Sequence, residues 1–321
     1  MPTLRPRRTL TAFVAAALAA VVALLVPPAA TAAAPPPLIG AHSLDYAWLD
    51  AAVGPMQIYR DFDTGFSYPT WQDTKAYKAH PNAPANHYSV TILPQRLLDP
   101  ADPINAQLQT FIASTPKNII LTNYHEPDFK SPGKFTPEQF RAGILRFADM
   151  VRAQNLADGG TRRTSVILMD VTFQGAWTWP ASDWWPTDAR DGGHVDLIAG
   201  DIYALPHNTN TACCPVGYTD GIKWLKAPYL LSFLIKFAQT NQTPWAVAEL
   251  GYLEDIYDPG HKAQTIRDVV AVATANGADH VSYFDAPGKR GNWRLRYSTP
   301  VGTTSMTSQA ALAWKALAGN G

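Results

Sequence analysis

Cysteine is nearly absent from this chain of 321 residues, which has only two, the adjacent Cys213 and Cys214. Neighbouring cysteines cannot join distant segments, so the hydrophobic core must hold the fold together. In an oxidising compartment we expect the pair to form a strained vicinal disulfide that stiffens one loop. Two reduced thiols, or a bond to a partner outside the chain, are the alternatives. We assign the pair no catalytic role.

The chain also lacks excess charge, because 26 basic residues balance 26 acidic ones. Three of the basic residues, Arg5, Arg7 and Arg8, precede an apolar stretch and then a run of small residues. This order is typical of a secretory signal peptide, here residues 1–34. A transmembrane anchor is the alternative, but the apolar run is short and a proline pair interrupts it. We therefore expect a secreted, extracellular protein.

Residues 35–321 have the length of one large domain and a formal charge near −3, since three arginines leave with the signal peptide. A chain with this charge lacks the basic patch that binds nucleic acid, and it would not be attracted to anionic lipid. We expect no nucleic-acid partner, no membrane partner after cleavage, and a monomer.

Several catalytic motifs are missing as well. The sequence has no Gly-x-Ser-x-Gly element for an acyl-transfer serine and no phosphate-binding loop. Four histidines from separate segments lack the spacing of a zinc site; they are His42, His125, His194 and His207. We expect no metal and no other cofactor.

What the chain does contain is a regular alternation of short apolar runs and longer amphipathic segments. The candidate strands are 38–42, 56–60, 87–93, 118–123, 165–171, 196–203, 244–248 and 278–284. Predicted helices between and after them include 136–155, 261–276 and 305–318. Strands separated by helices pair in parallel.

Eight such units in about 280 residues predict an α/β fold, a single-domain (β/α)8 TIM barrel spanning 35–321. The alternative is an open doubly wound sheet. That fold usually has a glycine-rich phosphate loop after its first strand. The sequence that follows 38–42 supplies no such loop.

Glutamate is scarce, and its positions are informative: the four are Glu126, Glu138, Glu249 and Glu254. Glu126 and Glu249 each end an apolar run, the fourth and the seventh candidate strand. A parallel barrel gathers its strand ends around one mouth, so these two can face each other. Two carboxyl groups across a cleft are what glycoside hydrolysis requires. The alternatives are an exposed loop carboxylate for Glu126 and an ion pair with Arg60 for Glu249.

The order of these residues resembles the clan A glycoside hydrolases, barrels with acidic residues on strands 4 and 7. The His125-Glu126 pair resembles glycoside hydrolase family 26, the β-mannanases and their relatives. The resemblance implies that Glu126 is the general acid/base and Glu249 the nucleophile, with Tyr203 supporting Glu249. Two segments depart from the family pattern: Asp128-Phe129-Lys130 replaces an aromatic segment, and strand 8 ends without tryptophan.

Ten tryptophans are many for this length, and sugar-binding clefts use such rings as apolar platforms. Four of them, Trp177, Trp179, Trp184 and Trp185, follow the fifth strand, and we expect one or two of these to touch a ligand. The remaining ones would form a small core of that loop. The candidate substrate-binding residues are His125, Tyr203, Arg60, Asp201, Trp177, Trp179, Phe284 and Trp293.

The sequence therefore predicts a retaining endo-glycosidase that hydrolyses a β-linked polysaccharide, β-mannan or a related β-glycan. The alternative is a non-catalytic secreted carbohydrate-binding protein on a barrel scaffold. A third possibility is a barrel hydrolase of another clan, in which the two glutamates would be too far apart to cooperate.

Overall fold

The structure is a computed structural model that describes residues 35–131, 133–175, 178–204, 226–252, 260–288, 291–295 and 308–319. Eight strands pair in parallel in chain order and close into a barrel, β8 returning to β1. They are β1 (Leu38–Ser43), β2 (Ile58–Phe62), β3 (Asn86–Val90), β4 (Ile120–Asn123), β5 (Arg163–Met169), β6 (Leu197–Ala204), β7 (Trp245–Tyr252) and β8 (His280–Asp285). The predicted (β/α)8 barrel is confirmed as a single domain.

Helices connect the strands on the outside of the barrel. They are α1 (Tyr46–Ala52), α2 (Lys75–Ala79), α3 (Pro94–Leu98), α4 (Ile104–Ser114), α5 (Pro127–Lys130), α6 (Pro137–Asp158), α7 (Asp170–Phe173), α8 (Ala181–Trp184), α9 (Asp188–Asp191), α10 (Ala227–Thr240), α11 (His261–Ala275) and α12 (Gln309–Leu317). The predicted helices 136–155 and 261–276 correspond to α6 and α11. The described part of the predicted 305–318 helix is α12.

The longest helix, α6, shows why its ends lie where they do. Thr136 accepts a hydrogen bond from the Gln139 backbone N–H, and the Gln139 side chain accepts one from the Thr136 N–H. This reciprocal capping box satisfies two donors at the start of the helix, and Pro137 suits its first turn. Gly159 ends the helix in the left-handed conformation, which glycine adopts without steric cost.

Alternate residues of each strand divide between the barrel interior and the layer under the helices. The lower interior holds small and branched side chains from β2, β4, β5, β6 and β7. Beside them lies a polar chain in which Asp279 joins Arg163 to His280, and His280 contacts His87 at 3.0 Å. Burial lowers the pKa of both histidines, so they lie in the core as neutral, hydrogen-bonded groups.

Strand β7 has one extra residue in its pairing register with β6. Gly200 pairs with Val247 and Asp201 pairs with Glu249, so the β6–β7 register skips Ala248. The β7–β8 register shifts over the same stretch. A β-bulge of this kind re-aims the side chains that follow it. Ala248 belongs to the interior cluster, so strict alternation would turn Glu249 toward the helices; the bulge turns it into the barrel.

The predicted signal peptide, residues 1–34, lies outside the described residues, as do Cys213, Cys214, His207, Trp177 and Glu254. Secretion and the vicinal disulfide therefore stay predictions. Residues Pro36–Gly321 form one compact unit. Among the helices of the described ranges, none has the length and apolarity needed to span a membrane.

Gly40 of β1 is packed so closely that we expect Gly40→Ala to be destabilising. An added Cβ would lie 2.3 Å from the carbonyl oxygen of Ile58 on the neighbouring strand. Overpacking of this kind costs about 2–3 kcal/mol of unfolding free energy. Gly65→Ala is the matched control, because its Cβ would meet nothing within 4 Å. Urea denaturation of both variants measures the difference; equal stabilities would contradict the close β1–β2 packing.

Candidate active site

Three carboxyl groups meet at the carboxyl ends of the strands. Glu126 follows β4, Asp201 lies in β6 and Glu249 lies in β7, and one oxygen from each is within 4.8 Å of the others. All three side chains are buried. Like charges this close cannot all be ionised in a buried site unless cations balance them. The arrangement of the surrounding cations therefore determines what the cluster can do.

Glu126 is held by an unusual backbone. Its φ of 53° and ψ of 51° are left-handed, and Tyr124, two residues earlier, has φ of 59°. Such conformations are strained for residues other than glycine and persist where the surroundings impose them. Here the Glu126 N–H donates to Ile167 O at 3.0 Å, and its carbonyl accepts from the Lys130 N–H at 2.8 Å. These bonds fix the carboxyl group at the mouth between β4 and β5.

Lys130 of α5 forms an ion pair with Glu126, with 2.6 Å between Nζ and Oε2. The same ammonium group donates to His125 Nε2 at 2.5 Å. His125 is buried, and burial followed by the positive charge of Lys130 lowers its pKa, so it accepts this bond as a neutral ring. Burial raises the pKa of Glu126, while Lys130 opposes that shift and Glu249 adds to it. The Lys130 side chain is 39% exposed, so its charge reaches solvent.

Glu249 has two partners of its own. The fully buried Arg60 lies 3.5 Å from it, Nη2 to Oε1, and the Tyr203 hydroxyl donates to Oε2 at 2.5 Å. The ion pair with Arg60 that the sequence allowed is therefore present. A neighbouring guanidinium and a hydroxyl donor both stabilise the charged form of a carboxyl group. Burial raises the pKa of Tyr203, so its hydroxyl keeps the proton that it donates.

One expectation about β7 was wrong, because Glu249 does not end the strand. Nor does the chain turn away at Gly251. The strand continues through Tyr252 because the bulge keeps it paired with β6. Gly251 instead makes room for the ring of Tyr203, whose Cδ1 would lie 2.3 Å from an added Cβ. Trp293 packs on the same ring, with centroids 5.0 Å apart. Tyr203 is thus fixed against Gly251 and Trp293 while it bonds Glu249.

Asp201 differs from the two glutamates because neither of its carboxyl oxygens has a hydrogen-bond partner among the described residues. The side chain is fully buried beside Glu249. Burial, followed by the charges of Glu249 and Glu126, raises its pKa well above the usual value. We therefore assign Asp201 as the protonated, neutral member of the cluster. The spacing would suit a metal ion, but Arg60 and Lys130 already balance the two glutamates, so we assign none.

An aromatic arc lines the mouth beside the carboxyl groups, made of Tyr203, Phe284, His42, Phe62 and His125. Phe284 stacks on His42 with centroids 5.2 Å apart, and His42 stacks on Phe62 at 4.7 Å. Phe62 reaches His125 at 4.7 Å, and Tyr203 meets Phe284 edge-on at 5.9 Å. Rings of this kind offer apolar faces to a ligand that passes over them.

The tryptophans after β5 separate into two groups. Trp184 and Trp185 are buried in the main core, Trp184 against Phe135 and Phe140 and Trp185 against Phe237. The expected small core of that loop is therefore wrong for these two rings. Trp179 is 47% exposed and is available to a ligand. Trp177 lies outside the described residues, so its expected role stays a prediction.

Three contributors were not predicted from the sequence. Asp128 accepts hydrogen bonds from the Met169 N–H and the Thr172 hydroxyl, which tie α5 to the end of β5. Burial raises its pKa to about 7. Lys130 was noted only as a departure from a family pattern, although its spacing of four residues from Glu126 suits a helical ion pair. Phe62 could not be recognised from the sequence as a site residue, because the rings that it contacts in the arc come from other strands.

Comparison with known proteins supports the fold. No protein-family model matches the chain, and no curated protein matches it in sequence. Solved structures do match. A family 128 (subgroup I) endo-β-1,3-glucanase from Amycolatopsis mediterranei, in complex with laminaritriose, has a TM-score of 0.52 and 14% identity, over 88% of this chain and 98% of its own.

A modular family 26 endo-β-1,4-mannanase from Cellulomonas fimi has a TM-score of 0.54 and 12% identity, over 88% of this chain and 70% of its own. A family 128 (subgroup III) curdlan-specific exo-β-1,3-glucanase from Blastomyces gilchristii, in complex with glucose, has a TM-score of 0.51 and 15% identity, over 87% of this chain and 97% of its own. At these identities the likeness shows the fold. The chain has the barrel fold of glycoside hydrolases, family 26 mannanases among them.

Asp201→Asn tests the protonated state of Asp201 through stability. An unfolded aspartate ionises near pH 3.9, whereas the folded group keeps its proton to higher pH. The Asp201 side chain therefore lowers the stability of the wild type as pH rises from about 4, by up to about 1.4 kcal/mol per pH unit, until its folded pKa is reached. Asp201→Asn escapes that loss, so its stability relative to wild type should rise with pH.

Urea denaturation between about pH 4 and pH 7 measures this trend. Asp149→Asn is the control, because the Asp149 side chain is 63% exposed and its replacement should leave the pH dependence unchanged. Parallel pH profiles for wild type and Asp201→Asn would show that Asp201 is ionised.

Proposed function

We propose that this protein is a retaining glycoside hydrolase that cleaves a β-linked polysaccharide. The observation that carries the proposal is the separation of Glu126 and Glu249, whose carboxyl oxygens approach within 4.8 Å. Retaining enzymes hold their two carboxyl groups about 5–5.5 Å apart, whereas inverting enzymes need about 6.5–9.5 Å to admit a water. An upper limit of 4.8 Å between the nearest oxygens is compatible with the retaining arrangement, so we propose direct attack by one carboxylate on the sugar.

The environments of the two glutamates favour distinct roles. Arg60 and the Tyr203 hydroxyl hold Glu249 as a carboxylate aimed into the mouth, which suits a nucleophile. Burial raises the pKa of Glu126, which suits a group that must carry a proton at the start of the reaction. Environments that separate the proton affinities of two carboxyl groups are the usual basis for an acid and a nucleophile in one site.

The reaction then proceeds in two displacements. A Glu249 oxygen attacks the anomeric carbon, the bond to the leaving oxygen breaks, and that oxygen takes the proton of Glu126. Water next attacks the same carbon, gives its proton to Glu126, and releases Glu249 as a carboxylate. No cofactor takes part, and the aromatic arc with Trp179 would contact the sugar rings.

The substrate class that we propose is β-mannan or a related β-glycan, with β-1,3-glucan included because of the family 128 structures. Cleavage within the chain is proposed as well, since two of the similar structures are described as endo-acting enzymes. We further propose that the protein acts outside the cell as a monomer, after removal of residues 1–34.

A non-catalytic carbohydrate-binding protein is the second candidate. One observation favours it: Glu126 lies in direct ion pairing with Lys130, and an ion pair stabilises the carboxylate rather than the acid. In that case the arc would bind a glycan without turning it over.

A hydrolysis screen of residues 35–321 separates the two candidates. The substrates are β-mannan, mixed-linkage β-glucan, β-1,3-xylan, β-1,3-glucan and cellulose. We expect reducing ends from at least one glycan and a loss of roughly 10²–10⁴-fold in Glu126→Gln and Glu249→Gln. Glu138→Gln is the matched control, because the Glu138 side chain is 68% exposed on α6 and its removal should leave the rate unchanged.

The first product seen by proton NMR reports the stereochemistry, and a β-anomer supports retention. An α-anomer would overturn the two-displacement mechanism even if hydrolysis is found. Retention on a glycan in a pull-down, together with no hydrolysis of any substrate, would favour the binding protein.

A further inference from the structure

Lys130 forms an ion pair with one of the two proposed catalytic groups, Glu126. Its Nζ lies 2.6 Å from Glu126 Oε2, whereas the buried cation Arg60 is paired with Glu249. Lys130 also bonds the neutral ring of His125 and lies 5.9 Å from the centroid of Phe62. The ammonium group is therefore held over the acid/base candidate from the side of α5.

We propose that Lys130 is a positioning residue that holds Glu126 in its carboxylate form between the two displacements. This inference rests on the proposed function. Glu126 must be a carboxylate when it accepts the proton of water, and a nearby cation stabilises that form. The same cation opposes the protonated form that the first displacement needs. The balance between the two steps, and so the pH at which the enzyme works, depends on Lys130.

The elements packed against Glu126 place several titratable or charged groups around it. Its own segment supplies Lys130, His125 and Asp128, β2 supplies Arg60, β6 supplies Asp201 and Tyr203, and β7 supplies Glu249. Of these, His125 is neutral, Asp201 and Tyr203 are protonated, and Arg60 is engaged by Glu249. Among the described lysines and arginines, Lys130 is the one that forms an ion pair with Glu126.

Partial exposure lets Lys130 leave its position. The side chain is 39% exposed while that of Glu126 is 10% exposed, so the lysine approaches from the solvent side of the cleft. A sugar that enters on the leaving-group side would displace the ammonium, and Glu126 could then hold its proton. After that sugar departs, Lys130 can return to the carboxylate.

Removing the charge should raise the pKa of Glu126. In Lys130→Gln the protonated form persists to higher pH, so the alkaline limb of kcat/KM should move up by about one pH unit. An exposed ion pair is screened by solvent, which limits the shift to about that size. Lys130→Arg keeps the charge and should keep the wild-type profile.

The scarcity of glutamate provides a direct readout that does not need activity. Protein labelled with ¹³C at the glutamate carboxyl carbon has four such signals, one for each glutamate of the chain, and Glu126→Gln identifies the signal of Glu126. Its titration is followed in wild type, Lys130→Gln and Lys130→Arg. Lys134→Gln is the matched control, because Lys134 contacts the Tyr124 hydroxyl at 3.3 Å on the same segment.

The inference expects the Glu126 signal to titrate about one pH unit higher in Lys130→Gln and unchanged in Lys130→Arg and Lys134→Gln. An unchanged titration in Lys130→Gln would overturn it, even in an active enzyme. If Glu126 shifts as expected but no glycan is hydrolysed, the proposed function fails and the role of Lys130 in a reaction fails with it. A shifted NMR titration with an unmoved kcat/KM limb would also overturn the role.

Discussion

Charge balance within the barrel mouth is the constraint on which the rest of the site depends. Three carboxyl groups within 4.8 Å of one another, all buried, would repel strongly if each were ionised. Two cations and one retained proton resolve this: Arg60 pairs with Glu249, Lys130 pairs with Glu126, and Asp201 stays neutral. The cluster, together with its two cations, is then uncharged overall, and the two glutamates can still differ in how readily they take up a proton. Asp201 contributes to this balance by keeping its proton.

The β-bulge of β7 makes this cluster possible. Strict alternation would bury Ala248 in the interior and turn Glu249 toward the helix layer, where Arg60 cannot reach it. The extra residue brings Glu249 inward, beside Asp201 in the register. From that point Gly251 also faces inward, and its missing side chain admits the ring of Tyr203. One inserted residue thus positions the carboxylate and its hydroxyl donor together.

The sequence predicted the barrel because the alternation of apolar runs and amphipathic helices depends on burial, which each segment shows by itself. Glu126 and Glu249 were found for the same reason, as carboxylates that follow buried runs. The bulge was not predictable, because its pattern of Ala248 and Glu249 depends on pairing with β6 and β8. The role of Gly251 was not predictable either, since a glycine that accommodates a distant ring gives the same local signal as a glycine in a turn. Lys130 was visible in the sequence, but its effect on Glu126 depends on the burial of Glu126.

The two glutamates are held by opposite kinds of irregularity, and this explains why they can meet. Glu126 lies just past β4 in a left-handed conformation of a kind that costs about 1–3 kcal/mol, whereas Glu249 lies within a strand that is one residue too long. If β4 ended regularly, the conformation of the segment that follows it would be free to vary. If β7 were regular, the Glu249 carboxylate would point outward. The hydrogen bond that the Glu126 N–H donates to Ile167 O offsets the strain, as do those that Asp128 accepts from the Met169 N–H and the Thr172 hydroxyl. The backbone therefore fixes the separation of the carboxyl groups. Arg60 and Lys130 then influence the protonation of these carboxyl groups rather than their position.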